Sequence, residues 1–154
     1  MAITLLEYNQ RLNGVINDLQ SGAHGQIMVQ IASEAIALVR QRVQERGLNP
    51  EGGTYREYSK GYLEYKKKEN KYRGFVDFTL TDRMWNNIKL VSPKDELDMG
   101  IAVIKATTTL ESEKLSKNTK SRGEILGVSE EEKQKLVEHY EQGILNIWRK
   151  NNLL

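Results

Sequence analysis

The sequence predicts an α+β fold: N-terminal helices, a small antiparallel sheet of three to four strands, and a C-terminal capped helix packed on it. Three observations carry that prediction. Ile27, Met28, Ile31, Ala32, Ala35, Leu38, Val39 and Val43 recur at i, i+3, i+4, i+7, the stripe of an amphipathic helix. Ser129-Glu130-Glu131-Glu132 has the form of a capping box, and the apolar positions after it keep helical spacing. Between them lie short runs rich in β-branched and aromatic residues, beginning at Phe75, Ile88 and Leu97.

Taken in order, residues 1–19 place Leu5, Leu6, Leu12, Val15, Ile16 and Leu19 at helical intervals. Ser21 to Gly25 breaks that helix, and the Ile27–Val43 stripe starts the next, which Gly47 and Pro50 stop. Residues 51–74 are glycine-spotted, basic and rich in tyrosine without a clean apolar face, and read as a loop around a short helix near Ser59–Lys68. Phe75–Leu80 reads as a strand. Thr81 or Asp82 caps a brief helical turn through Met84 and Trp85, and Ile88–Val91 is strand-like again. Pro93–Glu96 marks a turn, so that Leu97–Ile104 returns as the second arm of a hairpin. Residues 105–124 are mostly Thr, Ser, Lys, Glu and Asn with no periodicity, the composition of an extended, mobile arm. Leu136, Val137, Tyr140, Ile144, Ile147 and Trp148 then form the buried face of the last helix. The whole is one domain of 154 residues: a helical part at 1–50, basic loop and sheet at 51–104, the arm at 105–124, and the final helix at 125–154.

Composition narrows the function. Hydrophobic residues make up 38% and charged residues 29%, a globular balance, and no run reaches bilayer length. Met1 to Asn13 lacks the basic start and apolar block of a signal peptide, so synthesis and assembly in a cytoplasm are expected. Without cysteine, thiolate chemistry and disulfides are excluded, and stability falls to the core or to self-association. The net charge of +2 is small for a dedicated nucleic-acid binder. It is uneven, however: residues 40–73 hold ten bases and five acids.

Catalytic signatures are absent from the pattern. His24 and His139 sit on different predicted elements without the neighbours that a base or metal ligand needs. Carboxylates are spread along helices with lysines in range, as Glu131 with Lys135, which is how solvated ion pairs read. Gly52-Gly53 belongs to no phosphate-binding motif and reads as a turn. Lys66-Lys67-Lys68 reads as a solvated basic face over packed tyrosines, with contact to a nucleic-acid backbone as the competing use of residues 40–73. A hydrolase built on the dispersed carboxylates is a further alternative, and it would require a cleft with coupled acids.

The order of features from Gly53 onward resembles the tail-completion, or virion morphogenesis, proteins of Mu-like tailed phages. That family has G-x-W-x-x-L-S-x-x-Y-x-x-x-K after a long helix, and Gly53 to Lys66 is similar, with Tyr55 for Trp and Tyr58 for the apolar residue. The family's T-G-x-L-x-x-S-I turn is similar to Thr81 to Ile88, with Asp82 where glycine is usual. Its P-x-R-x-F-L-G-L-S-x-x-[DE] motif is similar to Ser121 to Glu132, although the tyrosine- and glycine-containing segment usual before the arginine is missing. The resemblance covers about two-thirds of the chain. It implies a non-enzymatic, cofactor-free virion subunit at the neck or tail end, forming a hexameric or dodecameric ring that joins head-side proteins to the tail, with other phage neck and tail proteins as partners, no membrane, and incidental contact with DNA in the ring channel. Tyr55, Tyr58, Tyr62, Lys66, Trp85, Lys114, Lys117 and Arg122 are the interface candidates on this reading.

Overall fold

Helix α1, Leu5–Asp18, starts because Thr4 accepts from the Glu7 amide while the Glu7 carboxylate accepts from the Thr4 amide, a complete capping box. The computed structural model describes residues 4–79 and 81–154, so Met1 to Ile3 of the expected first helix, and Leu80 of the expected strand and turn motif, lie outside the described residues. A π-type turn over Leu19–Ala23, with Gly22 at φ +99°, leads into α2, His24–Gln41. The predicted break is therefore a bulge between two helices that run on from one another. A second such turn, Arg42–Arg46, ends at Gly47 (φ +66°), where an added Cβ would lie 2.4 Å from the Phe75 ring. Both conformation and space restrict that position to glycine.

α2 buries Ile27, Ala32, Ala35 and Val39, with Val43 just beyond it, much as its stripe requires. It runs between two apolar clusters. One gathers Val39, Val43, Tyr55, Tyr58, Val76, Met84, Trp85, Ile88 and Ile125; the other joins Val15, Ile27 and Ile147. The first lies under the middle of the chain, and the second ties α1 and α2 to the last helix, α7, Glu130–Lys150. At the far end Lys150 and Asn151 bond the two carboxylate oxygens of Asp18 at 2.8 and 2.9 Å.

The short helix expected near Ser59–Lys68 is α3, Lys60–Lys68, and the brief turn at Met84 and Trp85 is α4, Arg83–Asn86. Asp82 precedes α4 at φ +54°, and its side chain does not cap the helix; its carboxylate accepts from Gln44 at 2.9 Å and faces Arg40 at 3.6 Å.

Among the described residues the sheet has two strands, not three to four. β1, Ile88–Leu90, pairs antiparallel with β2, Ile104–Ala106, in the register Ile88 opposite Ala106. Phe75–Thr79 is not a strand. Gly74 and Phe78 both turn to positive φ, and the Asp77 side chain draws the chain inward, so local hydrogen bonds override a strand-rich composition. The expected Leu97–Ile104 strand is split. Lys94–Asp98 forms α5, favoured by Asp95 and Glu96 in its first turn, and it ends where Gly100 takes φ +80° and Ile101 donates to the Glu96 carbonyl at 2.8 Å. Leu97 packs as part of that helix, and pairing begins only beyond Ala102, so the hairpin contains a helix in its connection.

The largest correction concerns residues 105–124, expected to be an extended arm. Thr109–Arg122 is α6, a helix capped by the Thr108 hydroxyl accepting from the Glu111 amide and ended by Gly123 at φ +101°. It has no apolar stripe because it packs mostly by polar groups: its one buried residue is Glu111, and Leu115 alone adds apolar contact to the first cluster. The Thr108-x-x-Glu111 spacing was the sequence signal for its start.

α7 begins as its sequence requires. Ser129 accepts from the Glu132 amide at 3.3 Å while Glu132 accepts from the Ser129 amide at 2.8 Å. Ser129→Ala is therefore expected to destabilise the domain by about 1 kcal/mol, the usual effect of losing an N-cap, read as a lowered denaturant midpoint at unchanged slope.

Candidate assembly surfaces and a polar cleft

The eight interface candidates separate by burial. Tyr55, Tyr58, Lys66 and Trp85 are only 4, 8, 0 and 2% exposed, so they are internal supports of this subunit and not surface contacts. Tyr62 and Arg122 are half-buried, while Lys114 and Lys117 are exposed on α6. Sequence reasoning read Lys66 as part of a solvated triplet. It is instead the one lysine of Lys66-Lys67-Lys68 that α3 turns into the core.

The reason is Asp77, which the sequence did not single out. Its carboxylate is fully buried and takes Lys66 Nζ at 2.5 Å, the Tyr58 hydroxyl at 3.0 Å and the Thr79 amide at 3.1 Å on Oδ1, with the Thr79 hydroxyl on Oδ2. Burial pushes the Asp77 carboxyl up, but the hydrogen bonds from Lys66 and Thr79 outweigh it and hold the group below its ordinary value. Burial, then the negative charge of Asp77, pushes the Tyr58 phenol up, keeping it a neutral donor. Tyr58 in turn accepts from the Phe78 amide at 2.9 Å, and the Trp85 indole faces the Asp77 carbonyl at 3.4 Å. The interior cluster therefore fixes α3, the 75–79 segment and α4 relative to one another.

Above this network lies a polar cleft of about 490 Å³. One wall is α6, which presents Glu111, Lys114, Asn118 and Arg122 at i, i+3, i+7 and i+11, a single helical face. Tyr58, Ser59 and Tyr62 line it, as do Thr81, Asp82, Arg83 and Met84. Glu111 is 2% exposed; Lys114 Nζ reaches its Oε1 at 2.9 Å, but its buried Oε2 has no partner among the described residues. The buried Nε of Arg122 likewise has none, while its guanidinium stands 5.5 Å from the Tyr58 ring and bonds Asn118 at 3.2 Å.

The basic segment 40–73 is less available than its count suggests. Arg42 is buried on Glu132 and Lys66 on Asp77, Arg40 faces Asp82, and Arg73 donates to the Gln44 carbonyl at 3.0 Å. His24 bonds the Asp98 carbonyl and Tyr140, and His139 bonds Glu34, so both histidines have structural partners. Among the described residues no three His, Asp or Glu side chains gather as a metal site, and no helix is long and apolar enough to cross a membrane.

Large apolar groups remain uncovered. Leu5 and Leu6 at the start of α1 are 76 and 68% exposed. Met99, Ile101 and Val103 are 68, 48 and 42% exposed, and Met99 borders a groove of about 410 Å³ whose lining includes Met28, Ile31, Leu136 and Val137. No family model, curated protein or solved structure matches this chain.

Proposed function

We propose that this chain is a structural subunit of the neck or tail end of a tailed phage, a tail-completion protein that closes into a ring of its own copies and joins head-side proteins to the tail. The observation that carries the reading is apolar surface left uncovered at two places: the Leu5-Leu6 tip of α1, and exposed Met99 and Val137 beside a groove that half-buried Met28, Ile31 and Leu136 also line. A fully buried leucine contributes roughly 1.5–3 kcal/mol relative to an exposed one, so a tip and a groove that meet between copies supply a strong drive to associate. Because tip and groove are different patches on one subunit, their contact is head-to-tail, and such contacts close rings when the rotation allows.

The local roles of the resembling segments support the same reading. Asp82, standing where the phage family has glycine, adopts a positive φ, the conformation for which glycine, asparagine and aspartate are best suited. In the Arg122 to Glu132 segment, Ile125 is fully buried, the Gly127 carbonyl takes an Arg42 N–H at 2.6 Å, and Ser129 and Glu132 form the cap of α7. No cofactor enters this function, and the chemistry is that of packing.

The test is the mass of the purified protein by native mass spectrometry and light scattering. A closed assembly of six or twelve copies is expected, and Leu5→Glu with Leu6→Glu should yield monomers whose thermal midpoint as monomers shows that the fold is intact. A wild-type protein that remains monomeric at high concentration and in the presence of a tail extract would refute the proposal.

A further inference from the structure

Along α1, Leu5, Tyr8, Leu12, Val15 and Leu19 recur at alternating intervals of three and four residues, the seam of a helix that packs against other helices. Only the lower half of that seam is covered. Val15 is 3% exposed against Ile27 of α2 and Ile147 of α7, with Leu19 beside them. The upper half is bare: Leu5 is 76% and Tyr8 41% exposed, and every residue from Thr4 to Gln10 lies at the surface. α7 ends at Lys150, and the chain beyond it reaches α1 at Arg11, whose Nη1 donates to the Asn152 carbonyl at 2.6 Å, so the first turns of α1 overhang the body. The groove beside Met99 is the converse. It lies between the same two helices, with His24, Met28 and Ile31 of α2 at i, i+4, i+7 and Lys133, Val137 and Tyr140 of α7 at the same spacing, and no third helix of the described residues fills it.

We propose that the first two turns of α1 from one copy lie lengthwise in the α2–α7 groove of the next, with Leu5, Tyr8 and Leu12 turned inward. The proposal rests on the ring reading above and names the faces and the direction of its contact. The fit is one of kind and of length. α1 already packs its seam on α2 and α7 through Val15, so the upper half continues that interface onto the same helix pair of a neighbour. Leu5 to Leu12, His24 to Ile31 and Lys133 to Tyr140 each advance seven positions, roughly 10 Å of helix axis. A helix laid in a groove anchors by residues at this spacing. Charges set its direction. α2 and α7 run antiparallel, since Ile27 lies over Gly143 while Arg42 bonds Glu132. Arg11 precedes Leu12 and the exposed Glu141 follows Tyr140, so the two approach when α1 runs the same way as α7. That direction also brings the positive end of α1 to the exposed Glu130 and Glu131 in the first turn of α7. Leu5 then lies at the Lys133 end of the groove, and Leu12 at the end where His24 meets Tyr140 and Gly100 follows Met99.

The chain has no cysteine, so introduced thiols can pair only with each other. In the assembled Leu5→Cys/Lys133→Cys variant, oxidation with copper phenanthroline is expected to give a ladder of covalent oligomers up to the full ring on a non-reducing gel. Leu5→Cys or Lys133→Cys alone should give at most dimers, and Leu5→Cys/Met99→Cys, which tests the far end of the groove, should give no ladder. Tyr8→Glu is expected to raise the protein concentration at half-assembly about tenfold or more, because it takes a charge into the seam, while its monomer melts as the wild-type monomer does. Native mass spectrometry of each variant is read beside the gel. A wild type that stays monomeric refutes the ring and this contact with it. An assembly of wild-type mass that gives no ladder, gives one only with the Met99 pair, or is unchanged by Tyr8→Glu overturns this contact and leaves the ring standing.

Discussion

Lys66→Ala is expected to lower the stability of the domain by about 3–5 kcal/mol, the usual cost of removing one partner from a buried ion pair. Lys66 and Asp77 are both fully buried, and the variant leaves the carboxylate with only the neutral donors Tyr58 and Thr79 and the Arg73 guanidinium 3.9 Å away at the surface. Against a typical total of about 5–15 kcal/mol, that loss is a large fraction of what holds the fold. Guanidinium denaturation measures it. A second comparison separates charge from packing: Lys66→Met combined with Asp77→Leu should be less damaging than Lys66→Ala, because an apolar pair leaves no buried charge unpaired.

The same pair makes stability depend on pH in a defined direction. The folded Asp77 carboxyl lies below its ordinary value, so at low pH the unfolded chain binds the proton that the native chain refuses. Its contribution is complete above the unfolded pKa of about 3.9, and it is lost as pH falls from there through the folded value. The stability of the Asp77→Asn variant should therefore decline less steeply than that of the wild type in this acid window. Parallel slopes would show that Asp77 is not held ionised.

Arg42→Ala has a comparable expected effect, about 3–5 kcal/mol, because one guanidinium joins three parts of the chain. Its Nε meets Glu132 at 2.9 Å, and its two terminal nitrogens donate to the Leu48 and Gly127 carbonyls at 2.8 and 2.6 Å. Glu132 uses its other oxygen to cap α7, so the end of α2, the loop at Leu48 and the start of α7 meet at this one pair. Losing Arg42 leaves the Glu132 carboxylate buried with the Ser129 amide as its donor. Glu132→Gln, which keeps an acceptor and removes the charge, should cost less than Arg42→Ala; a thermal melt of each variant decides it. If Arg42→Ala melts within a degree or two of wild type, the pair is not a junction of the fold.

Much of the architecture was legible because it rests on local rules. The α2 stripe, the stop at Gly47, the short α3 and the capping box of α7 each depend on residues within a few positions of one another. The pairing of Ile88–Leu90 with a strand closing near Ile104 was legible in kind, but α5 in its connection was not, since five residues carry too little periodicity to announce a helix. α6 escaped for another reason. The face it turns to the cleft is Glu111, Lys114, Asn118 and Arg122, and Leu115 is its one apolar contact with the core, so a search for apolar spacing finds no stripe and only the Thr108-x-x-Glu111 cap marks its beginning. Of the interface candidates, Lys114, Lys117, Tyr62 and Arg122 remain wholly or partly at the surface, while Tyr55, Tyr58, Lys66 and Trp85 belong to the interior.

By itself, then, the sequence determined the two long helices, their ends and the capped entry to α7, because helix periodicity and capping are written within one or two turns. Only the tertiary structure decided that Lys66 is internal and Asp77 its partner, that Arg42 serves Glu132 across 90 residues, and that a polar helix lines a cleft. Those choices depend on which distant group fills the space beside a charge, and a charge that reads as solvated in the sequence stays buried only when a donor or acceptor from elsewhere in the chain offsets its desolvation.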